Sequence, residues 1–241
     1  MNKTDLKAAL ARWNQPGAAG FLAFIADVQP RVPSANGGTE IYVPTDWERE
    51  EFTRALDGDH NCLCWVWPRR HGKTLANALI VIWRFISRPA ENIAIVANSE
   101  KQVLSTCYRT VKGILEQTPM LAAQVKSGAI IIGADKIERP STQSVIAAYS
   151  STPASLWGKK LTVAQISELH EVKNPAVVTA LAGSLIDTRG SLLLIDSTVG
   201  ARKSSLFGLF ETYQKGEDPK LFVSHIQYAG DCQEFRVRAG G

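Results

Sequence analysis

The 241-residue sequence has no stretch near the roughly 18 consecutive apolar residues that a membrane-crossing helix needs. Its first residues, MNKTDLKAALARW, are charged and amphipathic, without the apolar core of a secretory signal. Both absences predict a soluble intracellular chain. Cysteine is scarce. Cys62, Cys64, Cys107 and Cys232 stand at spacings that fit no zinc pattern. Cys62 and Cys64 alternate along an apolar run, so they share one strand face, and buried reduced thiols are expected. Internal repeats and low-complexity tracts are missing, and 18 Gly with 11 Pro gives no sign of disorder. Neither sign of charge dominates strongly: 27 Lys and Arg face 23 Asp and Glu, for a net charge of +4. That permits contact with nucleic acid without requiring it. What is present is a 45% hydrophobic chain, long enough to bury the core of one decorated α/β domain.

Residues 3–13 read as a helix with Leu6, Leu10 and Trp13 on one face, and 19–29 as a second short helix. QPRVPSANGG reads as a loop by composition. A third helix follows Thr45 or Asp46, with Phe52 and Leu56 as its apolar stripe and Gly58 as its stop. NCLCWVW (61–67) is a buried strand, and a helix runs from Lys73 to near Pro89. NIAIVAN (92–98) is a strand and 99–117 a helix, with Val103, Val111 and Leu115 inward and Cys107 a further inward candidate. GAIIIG (128–133) and QSVIAAYS (143–150) suggest paired strands. LTVAQIS (161–167) is a strand, 174–186 a helix opened by Pro175, SLLLIDS (191–197) a strand, 203–215 a helix and KLFVSHI (220–226) a strand. Apolar strands alternating with helices predict an α/β fold, a mostly parallel sheet covered on both faces. Ligands in such sheets bind at the carboxyl ends of the strands. Chemistry is therefore expected just after residues 67, 97, 166 and 196.

Residues 67–74, WPRRHGKT, match the end of the phosphate-loop pattern at Gly72, Lys73 and Thr74, while Trp67 stands where the first Gly is usual. The loop follows a buried strand and opens an amphipathic helix, as anion capture by backbone N–H groups demands. Pro68, Arg69, Arg70, His71, Gly72, Lys73 and Thr74 are thus the candidate nucleotide-binding residues. Lys73 would sit on the β- and γ-phosphates of ATP, and Thr74 would hold Mg²⁺. A plain basic turn is the bland alternative. Cations beside a helix N-terminus oppose its dipole unless an anion is bound there, which favours nucleotide. Arg69 and Arg70 either reach the γ-phosphate in the transition state or only neutralise ground-state charge.

LTVAQIS is followed by Glu168, placed to orient or activate the attacking water. This gives a P-loop NTPase of the additional-strand, catalytic-glutamate type. Ser167 occupies the position where an Asp usually holds the metal or its water shell, so weaker Mg²⁺ binding or compensation by a neighbour is expected. Asp196, ending the SLLLID strand, is one such neighbour. A rival, ranked second, makes that strand the metal-carboxylate strand outright. Ser197 and Thr198 read as a γ-phosphate sensor or, alternatively, as a Ser/Thr-capped loop. His170 and Glu171 read as structural or loop residues, too short a pattern for a metal site.

The order of these motifs resembles the large terminase subunit of tailed double-stranded DNA bacteriophages. The resemblance rests on PRRHGKT, on IAIVANSEKQV with Gln102, on Gly158 ahead of LTVAQISELHEVKN, and on LLLIDSTVG. It covers roughly residues 40–230. It implies a catalytic Arg69, phosphate and Mg²⁺ residues at Lys73 and Thr74, a catalytic Glu168 and a coupling motif at Ser197 and Thr198. Ser167 departs from the family pattern. So does Glu48, beside Trp47, where an adenine-side Gln is expected. The family also implies an arginine acting on a neighbouring subunit, with Arg139 and Arg189 as candidates. Residues 1–40 would be a helical extension, 41–230 the ATPase domain and 231–241 a polar tail, without the family's nuclease domain. The implied activity is ATP-driven translocation of double-stranded DNA by a homo-oligomeric ring, with portal protein and small terminase subunit as partners, in the host cytoplasm. Two other readings stay open: a helicase-like nucleic-acid ATPase, and a catalytically silent nucleotide-binding module.

Overall fold

The computed structural model describes residues 3–34, 36–199, 204–228 and 235–237. In chain order the helices are α1 (Lys3–Trp13), α2 (Gly17–Val28), α3 (Asp46–Asp57), α4 (Lys73–Ser87), α5 (Glu100–Ser105), α6 (Cys107–Gln117), α7 (Pro119–Lys126), α8 (Pro153–Leu156), α9 (Ala176–Leu185) and α10 (Ser205–Gln214). The strands are β1 (Arg31–Pro33), β2 (Thr39–Ile41), β3 (Cys62–Val66), β4 (Asn92–Ala97), β5 (Ile131–Ile132), β6 (Lys136–Arg139), β7 (Ser144–Ser150), β8 (Val163–Ser167), β9 (Leu192–Ser197), β10 (Leu221–Tyr228) and β11 (Phe235–Val237).

Nine strands form one sheet in the order β11-β10-β3-β9-β8-β4-β7-β6-β5. The six strands from β10 to β7 run parallel, and β11, β6 and β5 are antiparallel additions at the edges. Side chains of a strand alternate between faces, so an apolar run feeds two cores. Leu63, Trp65, Ile93, Ile95, Leu192 and Leu194 enter one core with α1 to α4, α6 and α7. Cys64, Val66, Ala94, Val96, Leu193 and Ile195 enter the other with α9. Cys62 and Cys64 do share a face, and Cys62, Cys64 and Cys107 are free thiols. Cys232 lies outside the described residues.

Helix α4 is apolar on nearly all sides because α1 and α2 cover the flank that solvent would otherwise meet. Trp83 is buried there and donates its indole N–H to the Trp13 carbonyl at 2.8 Å. At the far end of α4, Arg84 pairs with Glu91 at 2.8 Å and donates to the Gly190 carbonyl at 3.0 Å. Helix α3 begins at a capping box in which Thr45 and Glu48 satisfy each other's backbone N–H groups.

Four elements differ from the sequence reading. QPRVPSANGG is not all loop, since β1 and β2 pair as a short hairpin. The helix expected over 99–117 is two helices, broken at Thr106 with φ −118° and ψ −83°. The strand expected over 128–133 narrows to β5, and β6 intervenes between it and β7. Only Ile137 of β6 is fully buried, too weak a pattern to read as a strand. Within the expected tail, residues 235–237 form β11 against β10, and the other tail residues lie outside the described set.

Candidate active site

Strand β3 ends at Val66, and the loop from Trp67 to Gly72 delivers the chain to the N-terminus of α4. Gly72 has φ +76°, a left-handed conformation that L side chains resist, and it caps the helix without any side-chain partner. Arg70 is also left-handed at φ +67°. Arg69 and Arg70 are exposed, while Lys73 is buried. The first turn of α4 holds no acid, so its N–H groups and its dipole offer an anion site.

Strand β9 lies between β3 and β8 and pairs with both: Asp196 is the register partner of Trp65 on one side and of Ser167 on the other. The spatial sequence is therefore phosphate-loop strand, sensor strand, glutamate strand. Just beyond β8, Glu168 takes a left-handed backbone at φ +51°. This turn aims its carboxylate back across the sheet end, where Oε1 lies 3.2 Å from Lys73 Nζ. Their side chains are 27% and 7% exposed respectively, so the pair is shielded but reachable from solvent.

Around Glu168 the chain folds into a 3-10 turn, Leu169–Glu171. His170 Nδ1 is 3.3 Å from Glu168 Oε2 and 3.0 Å from Ser197 Oγ. The His170 backbone N–H donates to Ser197 Oγ at 3.2 Å, and Nε2 lies 3.4 Å from Thr198 Oγ1. Glu168 Oε2 is buried and has no hydrogen-bond partner. The imidazole thus lies between the candidate catalytic acid and the candidate coupling residues, hydrogen-bonded to the latter and in close approach to the former. Gln102 donates to Glu171 Oε2 at 3.2 Å, which ties α5 to the same turn.

Beneath this surface, Asp196 is fully buried. Thr74 Oγ1 donates to Oδ1 at 3.3 Å, while Asn77 and Ser167 donate to Oδ2 at 3.1 and 2.7 Å. Burial pushes the Asp196 pKa up, the Ser167 hydrogen bond opposes it, and the nearby Glu168 charge raises it further. Ser167 Oγ also accepts from the Cys107 thiol at 2.7 Å and from Gln165 Nε2 at 3.3 Å. Burial drives that thiol up to about 12, so Cys107 acts as a neutral donor. Asn77 is visible in the sequence only as a lone amide in the apolar run LANALIV. Its side-chain oxygen accepts from Trp65 Nε1 at 2.7 Å.

Trp47 and Glu48 do reach the phosphate loop. Trp47 packs edge-on to Trp67 with centroids 5.0 Å apart. A Cβ on Gly72 would stand 3.9 Å from Glu48 Oε1. The Glu48 carboxylate is held by the capping box and by the Tyr42 hydroxyl at 3.1 Å. Arg139 and Arg189 are not brought to the site. Arg139 donates to the Ile86 carbonyl at 2.7 Å, and Arg189 lies exposed in the turn before β9. Both belong to the end of the sheet opposite the phosphate loop. Among the described residues no cluster of three His, Cys, Asp or Glu side chains could hold a metal ion, and no helix is long and apolar enough to cross a membrane.

A strand, a glycine-capped loop and a helix, with a glutamate two strands away across an intervening strand, define a P-loop NTPase of the additional-strand, catalytic-glutamate class. Residues 63–216 match the family described as terminase large subunit, ATPase domain. That match covers well over half of the chain, and the chain belongs to this family. The fold is similar to the large terminase of bacteriophage HK97, with TM-score 0.70 and 16% identity over 87% of this chain and 44% of that one. It is also similar to the large terminase ATPase domain of Thermus phage P74-26, with TM-score 0.50 and 16% identity over 65% of this chain and 70% of that one. The large terminase of another thermophilic bacteriophage gives TM-score 0.51 and 13% identity over 70% of this chain and 40% of that one. The chain thus spans less than half the length of the first and third of these proteins. No curated protein sequence matches it.

Proposed function

We propose that this chain hydrolyses ATP and that, within a homo-oligomeric ring, the hydrolysis drives double-stranded DNA into a viral capsid in the cytoplasm of the infected host. Portal protein and small terminase subunit are the partners that the family suggests. One observation carries the reading: Glu168 and Lys73 meet at 3.2 Å across the strand that ends at Ser197, with Thr198 next in the chain.

ATP would lay its phosphates on the N-terminus of α4 and on Lys73. Phosphate oxygens would take Lys73 from Glu168. The freed carboxylate would orient a water and accept its proton as the water attacks the γ-phosphorus. The bond from the γ-phosphorus to the bridging oxygen breaks, giving ADP and inorganic phosphate. Arg69, exposed on the loop, would stabilise the charge on the equatorial oxygens. Mg²⁺ would neutralise phosphate charge, and the hard oxygen donors beside the loop, with Thr74 Oγ1 foremost, suit it. Glu168 would report nucleotide state through His170 to Ser197 and Thr198. DNA would be gripped by Lys and Arg contacts to phosphates, so its binding should weaken steeply with salt.

The test is ATPγS binding and phosphate release, with and without DNA, in wild type, Lys73→Ala and Glu168→Gln. Binding lost in Lys73→Ala, with binding kept and turnover lost in Glu168→Gln, supports the reading. Binding indifferent to Lys73 would sink it. Binding without turnover, even with DNA and under oligomerising conditions, would favour the silent module that Ser167 keeps in play.

A further inference from the structure

The strand that should carry the metal-holding acid ends in Ser167, and the hydroxyl of Ser167 has no capacity left. It has one proton and two lone pairs. The proton goes to Asp196 Oδ2, and the lone pairs take Cys107 and Gln165. Nothing remains for a cation or for a water bound to one. We propose that Asp196, on the neighbouring strand β9, is the carboxylate that holds the hydrated divalent cation of the bound nucleotide. This rests on the nucleotide-binding reading above.

Three observations carry the assignment. Thr74 gives its only hydroxyl proton to Asp196 Oδ1, which leaves the oxygen lone pairs free for a cation on the phosphate side. Register places Asp196 directly across from Ser167, and β9 is the strand beside the phosphate-loop strand. The carboxylate has therefore moved one strand, about 4.8 Å, toward the loop. Finally, Asp196 is fully buried, and its hydrogen-bond partners, Thr74, Asn77 and Ser167, are all neutral. Among the described residues the nearby ammonium is that of Lys73, which is paired with Glu168. A buried carboxylate without a paired cation is costly, and a bound cation relieves that cost as a bound proton does. A dication at Thr74 supplies the missing charge. Ser167, Asn77 and Cys107 then form the frame that aims Asp196, and the absence of an acid at 167 avoids two adjacent buried carboxylates.

The experiment measures ATPγS affinity of the whole chain by calorimetry, in Mg²⁺ and in EDTA, for wild type and Asp196→Asn. The expected wild-type gain from Mg²⁺ is roughly tenfold or more, falling to less than about twofold in Asp196→Asn with the EDTA affinity unchanged. An undiminished Mg²⁺ gain in the variant overturns the assignment. So does an equal loss in both buffers, which would give Asp196 a role in the fold alone. Should Asp196→Asn fail to fold, the wild-type complex with Mn²⁺ and ATPγS, labelled with ¹³C-aspartate, keeps the test. A carboxyl carbon coupled to the manganese in electron–nuclear double resonance supports the proposal, and its absence overturns it. No wild-type binding of ATPγS in either buffer would defeat the nucleotide reading itself and the assignment with it.

Discussion

Replacing Glu168 by Gln removes the anion that holds Lys73 in the nucleotide-free protein. At 3.2 Å, the Lys73–Glu168 attraction at an effective dielectric of about 20 has a ceiling near 5 kcal/mol. Glu168 is 27% exposed, so water and salt screen the pair, and the carboxylate is rehydrated when ATP displaces it. We expect a net competition of roughly 1 kcal/mol, or about fivefold in affinity. Glu168→Gln should therefore bind ATPγS about fivefold tighter than wild type, while turnover falls by about 10²-fold or more through loss of the base. A fluorescent-nucleotide titration beside a phosphate-release assay reads both quantities. A variant that binds more weakly than wild type, or that keeps its turnover, refutes both the competition and the role of the carboxylate.

His170→Ala removes the ring that packs beside Glu168 and hydrogen-bonds Ser197 and Thr198. It should lower kcat about tenfold with KM nearly unchanged, in line with loss of one or two hydrogen bonds of about 1 kcal/mol, and steady-state kinetics checks this. Gly72→Ala meets only the Glu48 carboxylate, at ordinary contact distance, but takes a left-handed backbone, so a stability loss of about 1 kcal/mol is expected by thermal melt, with weakened nucleotide binding. Arg84→Ala leaves Glu91 buried and unpaired and should cost about 3–5 kcal/mol in urea unfolding. Burial raises the folded-state pKa of Asp196 above its unfolded value of 3.8. The stability linked to its protonation is fully present below that unfolded value and disappears as pH rises through the raised folded pKa. The stability of wild type relative to Asp196→Asn, without nucleotide, should fall across that window. A flat difference would contradict the burial cause.

The sheet is legible in the sequence because its strands are continuous apolar runs and its helices begin at punctuating residues such as Thr45 and Gly72. The phosphate loop and Glu168 are legible for a related reason: both lie within a few residues of a strand end, where chain order and spatial order agree. The polar node beneath them is legible only in part. Asp196 is expected beside Ser167, 29 residues away, because both end strands of one sheet, but its hydrogen bond from Asn77, 119 residues away, is announced by no local pattern. His170 escapes a sequence reading because its hydrogen bonds go to Ser197 and Thr198, at the end of a strand 27 residues further on. The β6 strand escapes because a partly exposed edge carries too few inward apolar residues to show a period.

Arg139 and Arg189 face away from the phosphate loop, at the opposite end of the sheet. An arginine placed there can touch the nucleotide of a second copy only where the top of one molecule meets the bottom of the next. Such a contact is heterologous, joining two different surfaces, and it propagates: each copy offers a fresh site to another. It closes into a finite assembly only when the rotation between neighbours divides a full turn evenly, and otherwise it winds into an open helix. Were either guanidinium to serve a neighbour's nucleotide, its position in one chain would become a constraint on the symmetry of many.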